Sequence, residues 1–226
     1  MRRRARALAW AALPALGFAI CGAIAQDRVS EAETLLFLTD HLRNVAPPAT
    51  LSYAYKKTGS AEAGFDDTVQ IRVRAAADGA RVVSVTFFTR DRQIALPDVQ
   101  KPEGNPVLLY FLEHDIREME RRTGGKAGYF RKAIRLALAN SANVAKVSVS
   151  FEGRAVAAQE ITITPFVDDP LKDRIGKYAT KIYVFTLSTD VPGGIYGIRT
   201  VVPGPAAAAK AGPLIEERLR FVRLVR

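Results

Sequence analysis

Between positions 68 and 74 the chain sets Val69, Ile71 and Val73 among Thr68, Gln70, Arg72 and Arg74, and this two-residue alternation constrains the fold more than any other feature. Successive side chains of a strand point to opposite faces, so such a run offers one face to a core and one to water. The same period returns at 51–56, where Leu51, Tyr53 and Tyr55 flank Ser52 and Ala54. It returns again in Val83, Val85 and Phe87, which alternate with Ser84, Thr86 and Phe88. Gly64-Phe65-Asp66-Asp67 and Asp78-Gly79 separate the three runs with turn chemistry. These connections are too short for crossover helices, so the strands form an antiparallel meander.

Helical signals flank this meander. Ser30-Glu31-Ala32-Glu33 has the capping-box spacing. Leu35, Leu38 and Leu42 continue it as an apolar stripe, which ends near Arg43 because Pro47-Pro48 cannot extend a helix. Residues 89–105 read as irregular. Asn105 then caps a second helix with Pro106 in its first turn and Leu108, Leu112, Ile116 and Met119 as its buried stripe. Gly124-Gly125 stops it, and a third helix runs to about Ala139 with Phe130, Ile134 and Leu138 in register. Strands resume at 147–151, turn at Glu152-Gly153-Arg154, and continue through Ile161 and Ile163. Residues 181–187 are apolar on both faces, the mark of a doubly covered strand. Pro192-Gly193-Gly194 leads into 195–202, residues 203–212 form a loop rich in Ala, Pro and Gly, and Leu219 and Phe221 alternate with Arg218 and Arg220 in a last strand. The fold class is α+β: a curved antiparallel sheet of about eight strands, packed with an N-terminal helix and a central helical hairpin.

The first 25 residues are of another kind. Met1-Arg2-Arg3-Arg4-Ala5-Arg6 is basic, residues 7–25 are apolar, and Ala23-Ile24-Ala25 places small residues three and one positions before Gln26. That is the layout of a secretory signal cleaved after Ala25, leaving a single periplasmic domain at 26–226. Retention as a membrane anchor is the alternative, since the run approaches a spanning length, but Pro14, Gly17 and Gly22 make it a poor helix. Ile20 is wrong for lipid attachment at Cys21, and the residues around Arg2-Arg3-Arg4 do not complete a twin-arginine signal. Cleavage removes Cys21, the only cysteine, so neither a disulfide framework nor a cysteine nucleophile remains. It also lowers Lys+Arg from 33 to 29 against 23 acidic residues, and the formal net charge from +10 to +6. An excess of six suits anionic surfaces or headgroups and is mild for a nucleic-acid binder, so no nucleic-acid partner is expected.

Catalytic equipment is sparse. There is no Gly-x-Ser-x-Gly, His-Glu-x-x-His, Cys-x-x-Cys or dinucleotide glycine pattern, and Gly124-Gly125-Lys126-Ala127-Gly128 lacks the ending of a phosphate loop. Two histidines exist. His114 sits roughly 160–200° around its helix from Leu112 and Ile116, on a face read as solvated, where Glu113–Arg117 and Glu118–Arg122 have ion-pair spacing. A His114–Glu118 metal or acid/base pair is the competing reading, without a third ligand. His41 lies at the margin of the first helix. Asp168, Asp169 and Asp173 match no calcium loop and cap a turn instead. No enzyme, cofactor or metal is expected, and no catalytic residue is assigned.

Two sets remain as candidate binding residues. Arg117, Arg121, Arg122, Lys126, Arg131, Lys132 and Arg135 gather on the helical hairpin against Glu118 and Glu120, a local excess of five suited to phosphate or carboxylate groups. Tyr53, Tyr55, Phe87, Phe151, Tyr183, Phe185 and Phe221 fall in strands. They line an apolar cavity if the sheet is strongly curved, and pack as core if it is flatter.

In its element order and size, residues 30–225 resemble the periplasmic lipoprotein-carrier class (LolA/LolB-like proteins), in topology and not in motif. The resemblance implies a curved half-barrel over helices that shelters acyl chains. The expected function is an exported, non-enzymatic, carrier-like binding protein for a lipid or other hydrophobic ligand, with the basic hairpin near an anionic membrane surface. The alternative is a structural or protein-interaction module of the cell envelope.

Overall fold

The alternating runs become strands of one antiparallel sheet. The computed structural model describes residues 29–205 and 212–226, so the expected signal peptide at 1–25 and most of the 203–212 loop lie outside the described residues. In chain order the elements are α1 (Glu31–Glu33), β1 (Ala49–Thr58), β2 (Phe65–Ala75), β3 (Arg81–Phe87), β4 (Ile94–Ala95), β5 (Val99–Gln100), α2 (Val107–Thr123) and α3 (Ala127–Asn140). Then come β6 (Asn143–Phe151), β7 (Arg154–Ile163), α4 (Lys172–Ile175), β8 (Ile182–Leu187), β9 (Ile195–Val202) and β10 (Ile215–Val225). Eight strands are long, as the sequence implies; β4 and β5 are two-residue strips in the segment read as irregular.

The spatial order is β4-β3-β2-β1-β10-β9-β8-β7-β6, with β5 also on β3. Two meanders, one N-terminal and one C-terminal, are thus joined where β1 pairs β10 along nearly its whole length. The sheet is strongly curved. Phe151 at the end of β6 lies 5.9 Å ring to ring from Phe221 of β10, although three strands separate them in the order, and the Tyr196 hydroxyl of β9 donates to the Ser150 carbonyl at 3.2 Å.

Parity decides the core. Leu51, Tyr53 and Tyr55 of β1 share one face with Val69, Ile71 and Val73 of β2 and Leu219 and Phe221 of β10, and all are buried. The helices cover that face. From α2 the side chains of Val107, Leu108, Phe111, Leu112, Ile116 and Met119 are buried, and from α3 those of Phe130, Ile134, Ala137 and Leu138. Asn105 Oδ1 accepts from the Val107 amide at 3.1 Å, and Gly124 ends α2 with φ 70°. Burying such side chains supplies about 1.5–3 kcal/mol each.

Two sequence expectations are corrected here. The first helix stops at Leu38, after a π-helical turn over Thr34–Leu38, and not near Arg43. Its capping box is present, but Leu38 is 62% exposed while Ala32 and Leu36 are buried, so the stripe is not Leu35–Leu38–Leu42. The stop has a side-chain cause: Nε2–H of His41 donates to the Leu35 carbonyl at 2.8 Å, replacing a backbone donor. Residues 182–187 are also not doubly covered. Tyr183, Phe185 and Leu187 are buried while Ile182, Val184 and Thr186 are half-buried, the ordinary alternation of an antiparallel strand.

Candidate ligand-binding cleft

Phe87 ends β3 and Phe88 follows it, and both rings are buried among the same aromatic neighbours, whereas a continued strand would turn them to opposite faces. The exception is made by backbone: Phe88 has φ 67°, a left-handed conformation rare for a bulky residue. That turn swings Phe88 to the same side as Phe87, where its ring lies 4.6 Å from Tyr55 and 5.6 Å from Phe65. The sequence reading, which alternated Phe88 outward with Ser84 and Thr86, is corrected by this one torsion.

From α2, His114 inserts among these rings, 5.1 Å from Phe88, 5.5 Å from Phe87 and 6.4 Å from Tyr55. It does not sit on a solvated face, because the curved sheet wraps round the helix and packs a second side of it. Burial, the largest influence, holds the imidazole pKa below its usual value and keeps it neutral near pH 7, although Glu217, Asp115 and Glu118 oppose this. Tyr55, Phe65, Phe88, Ile94 and His114 form the floor of an open cleft of about 580 Å³.

The rim is ionic. Lys57 lies between the half-buried Glu62 (2.9 Å) and the buried Glu217 (3.0 Å). Arg122 reaches Glu62 at 2.5 Å and Glu118 at 3.2 Å, and Arg121 holds Glu118 at 2.6 Å. Burial raises the Glu118 pKa, but hydrogen bonds from Arg121 and Arg122, aided by Lys57, outweigh it and leave the carboxyl below its usual range. Tyr178 donates to Glu62 at 3.4 Å, and its pKa is pushed up to about 12 by burial and by that carboxylate. Arg92 stands over the Phe65 ring at 4.6 Å with no carboxylate partner among the described residues. The rim carries four cations (Lys57, Arg92, Arg121, Arg122) against Glu62, Glu118 and the Glu217 that holds Lys57, a net charge of +1.

Deeper under α2 the sheet face turns polar once more. Asp115, fully buried, holds the Lys181 ammonium and accepts from the Tyr183 hydroxyl at 2.7 Å. The Tyr55 hydroxyl is buried without a hydrogen-bond partner among the described residues, and burial followed by the Glu217 charge drives its pKa far up.

Of the predicted basic set, only Arg121 and Arg122 line the cleft. Arg117 pairs with Glu120, and Arg131 reaches across from α3 to Glu113 at 2.8 Å, so the expected Glu113–Arg117 pair is replaced by an interhelical one. Lys126, just before α3, and Lys132 and Arg135 on it are exposed. Counting Glu62 and Glu113, the seven cations face four carboxylates and the excess falls from five to three. Of the aromatic set, Tyr53, Phe87, Tyr183, Phe185 and Phe221 pack as buried core, Phe151 is partly buried against it, and Tyr55 joins core to cleft; strong curvature does not leave a cavity here, because side chains of α2 and α3 fill the concave face.

His41 is not a boundary residue: it is buried, and its Nδ1 accepts from the Asn105 amide at 3.3 Å. Among the described residues no group of three His, Cys, Asp or Glu side chains is placed to hold a metal, and no described helix is long and apolar enough to cross a membrane. Lys57, Glu62, Asp115, Lys181 and Glu217 were invisible from sequence. The one available signal was parity, which puts Lys57 on the same face as Tyr53 and Tyr55.

No family model matches the chain, and no curated protein matches it. Solved structures do. The Mycobacterium tuberculosis lipoprotein LppX aligns at 12% identity over 77% of this chain and 85% of that one, with a TM-score of 0.33. MucB in the Pseudomonas aeruginosa MucA/MucB complex aligns at 15% over 87% of this chain, with a TM-score of 0.36; the alignment spans 57% of that chain. A LolA superfamily protein from Nitrosomonas europaea aligns at 11% over 85% and 92%, with a TM-score of 0.20. These alignments record a weak likeness of topology alone, without a shared motif.

Proposed function

We propose that this is an exported periplasmic binding protein, carrier-like and non-catalytic, that holds an amphiphile in the cleft between α2 and the β1–β3 end of the sheet. The single observation that carries the reading is the joining of an aromatic floor to a rim of net charge +1 in one opening. An alkyl chain laid on Tyr55, Phe65 and Phe88 leaves water at roughly 0.8 kcal/mol per methylene. A polar head stays at the rim, where Arg92 is the cation not already committed to a carboxylate among the described residues. The interior between helices and sheet is core, so the bound chain lies along the cleft floor and does not thread the half-barrel. Both histidines are held by packing or backbone contacts, which supports binding over acid/base chemistry.

Native mass spectrometry of protein released from the envelope should show co-purifying amphiphile and an N-terminus at Gln26. Titration with dodecyl phosphate and dodecyltrimethylammonium separates head from tail: the anion should bind more tightly, and Arg92→Glu should reverse the order. An apo mass, with no binding of either surfactant below its micellar concentration, would refute the proposal.

A further inference from the structure

A sheet has two edges, and this protein treats them differently. The β3 edge is overlaid by β4 and β5, with Pro97 between them and Pro102 just after. At the other edge β6 runs nine residues in unbroken register with β7 and contains no proline. Its two ends are engaged: Val144 adjoins α1, and the Ser150 carbonyl accepts from Tyr196. Between them residues 145–149 pair only toward β7 among the described residues, and Lys146 is their single charge. Every second residue of such a strand turns its N–H and C=O away from the sheet, ready for another strand.

A second observation lies beside this edge. A pocket of about 290 Å³ opens at Lys146 and Val147, with Leu35, Ala157 and Leu187 on its apolar wall. Its charged residues are Arg43, Lys146 and Asp40, and Asp40 is already held by Arg81 at 3.2 Å. The opening is therefore apolar within and positive at its mouth.

We infer that residues 145–149 accept an extended peptide as an added strand, with an apolar side chain in this pocket and an acidic one beside Lys146. Main-chain bonds supply affinity in this mode and the side pocket supplies selectivity. Self-pairing of two copies is disfavoured because it brings Lys146 and Arg43 of each copy together. This site is separate from the aromatic cleft, and neither requires the other.

The test uses the intact purified protein and a fluorescein-labelled nonapeptide, Thr-Val-Thr-Glu-Leu-Thr-Val-Thr-Val, read by anisotropy. Two analogues N-methylated on alternate residues remove one set of outward amides each. One of them should bind at least roughly tenfold more weakly, since several backbone bonds are lost, while the other is affected little. Lys146→Glu should weaken the parent peptide and favour one with Lys in place of Glu. Amide shifts on binding should map to 145–149. Equal binding of both analogues, shifts confined to the aromatic cleft, or no saturable binding would overturn the inference. So would a concentration-dependent dimer abolished by Ser148→Pro, which would assign the edge to a second copy.

Discussion

Removing the carboxylate of Asp115 should be among the most damaging single changes in this domain. Asp115 is 0% exposed and Lys181 4%, and the pair is completed by the Tyr183 hydroxyl. Asp115→Ala leaves an ammonium in the core with no counter-charge and a phenol with no acceptor. Breaking a buried pair from one side costs about 3–5 kcal/mol. For a domain of this size each kcal/mol lowers Tm by about 2–4 °C, so the expected fall is roughly 6–20 °C. The cost belongs to the orphaned partner and not to the value of the pair, which gives a sharper test. The triple variant Asp115→Leu, Lys181→Met, Tyr183→Phe removes every polar member and should return to within about 1 kcal/mol of the parent or exceed it. Urea denaturation followed by circular dichroism, with calorimetry for Tm, measures both. A cost below about 1 kcal/mol for Asp115→Ala, or a triple variant less stable than the single one, would refute the reasoning.

Other outcomes follow from the same contacts. His41 and His114 have folded pKa values held below 6.5 by burial, so the unfolded chain binds their protons first; their stabilising contribution is complete above pH 6.5 and is lost as pH falls below it, by up to about 1.4 kcal/mol per pH unit for each. Replacing His114 with Phe should flatten the stability profile between pH 7 and 5 in denaturant titrations. Asn105→Ala strips bonds to Tyr53, to the Gly193 carbonyl and from the Val107 amide, and should cost roughly 2–3 kcal/mol by urea midpoint. Gly193→Ala places a Cβ 2.7 Å from Leu51 Cδ1 at φ 78°, and should cost roughly 2–4 kcal/mol, with a Leu51→Ala background relieving part of it.

What the sequence revealed was local. Val69–Ile71–Val73, the Ser30/Glu33 capping box, the Asn105 start and the Gly124 stop each depend on neighbours within a few residues, and each is found where the spacing puts it. The charged seam is the opposite case. Asp115 meets Lys181 and Tyr183 from 66 and 68 residues away, and Lys57 meets Glu217 across the β1–β10 junction. No periodicity encodes those meetings. His114 was misplaced because a single apolar stripe assumes one buried side, whereas α2 is packed on two. Phe88 was misplaced because one positive φ interrupts an alternation that the residue types continue.

The junction of β1 with β10 also governs the order of assembly. During synthesis the N-terminal meander emerges first, but its β1 flank stays bare until the final strand arrives. Pairings between residues so distant in sequence close slowly, because the loop entropy is spent before the contacts form. Until β10 docks, each half exposes an unfinished border, open to chaperones and to mispairing with strands of other chains.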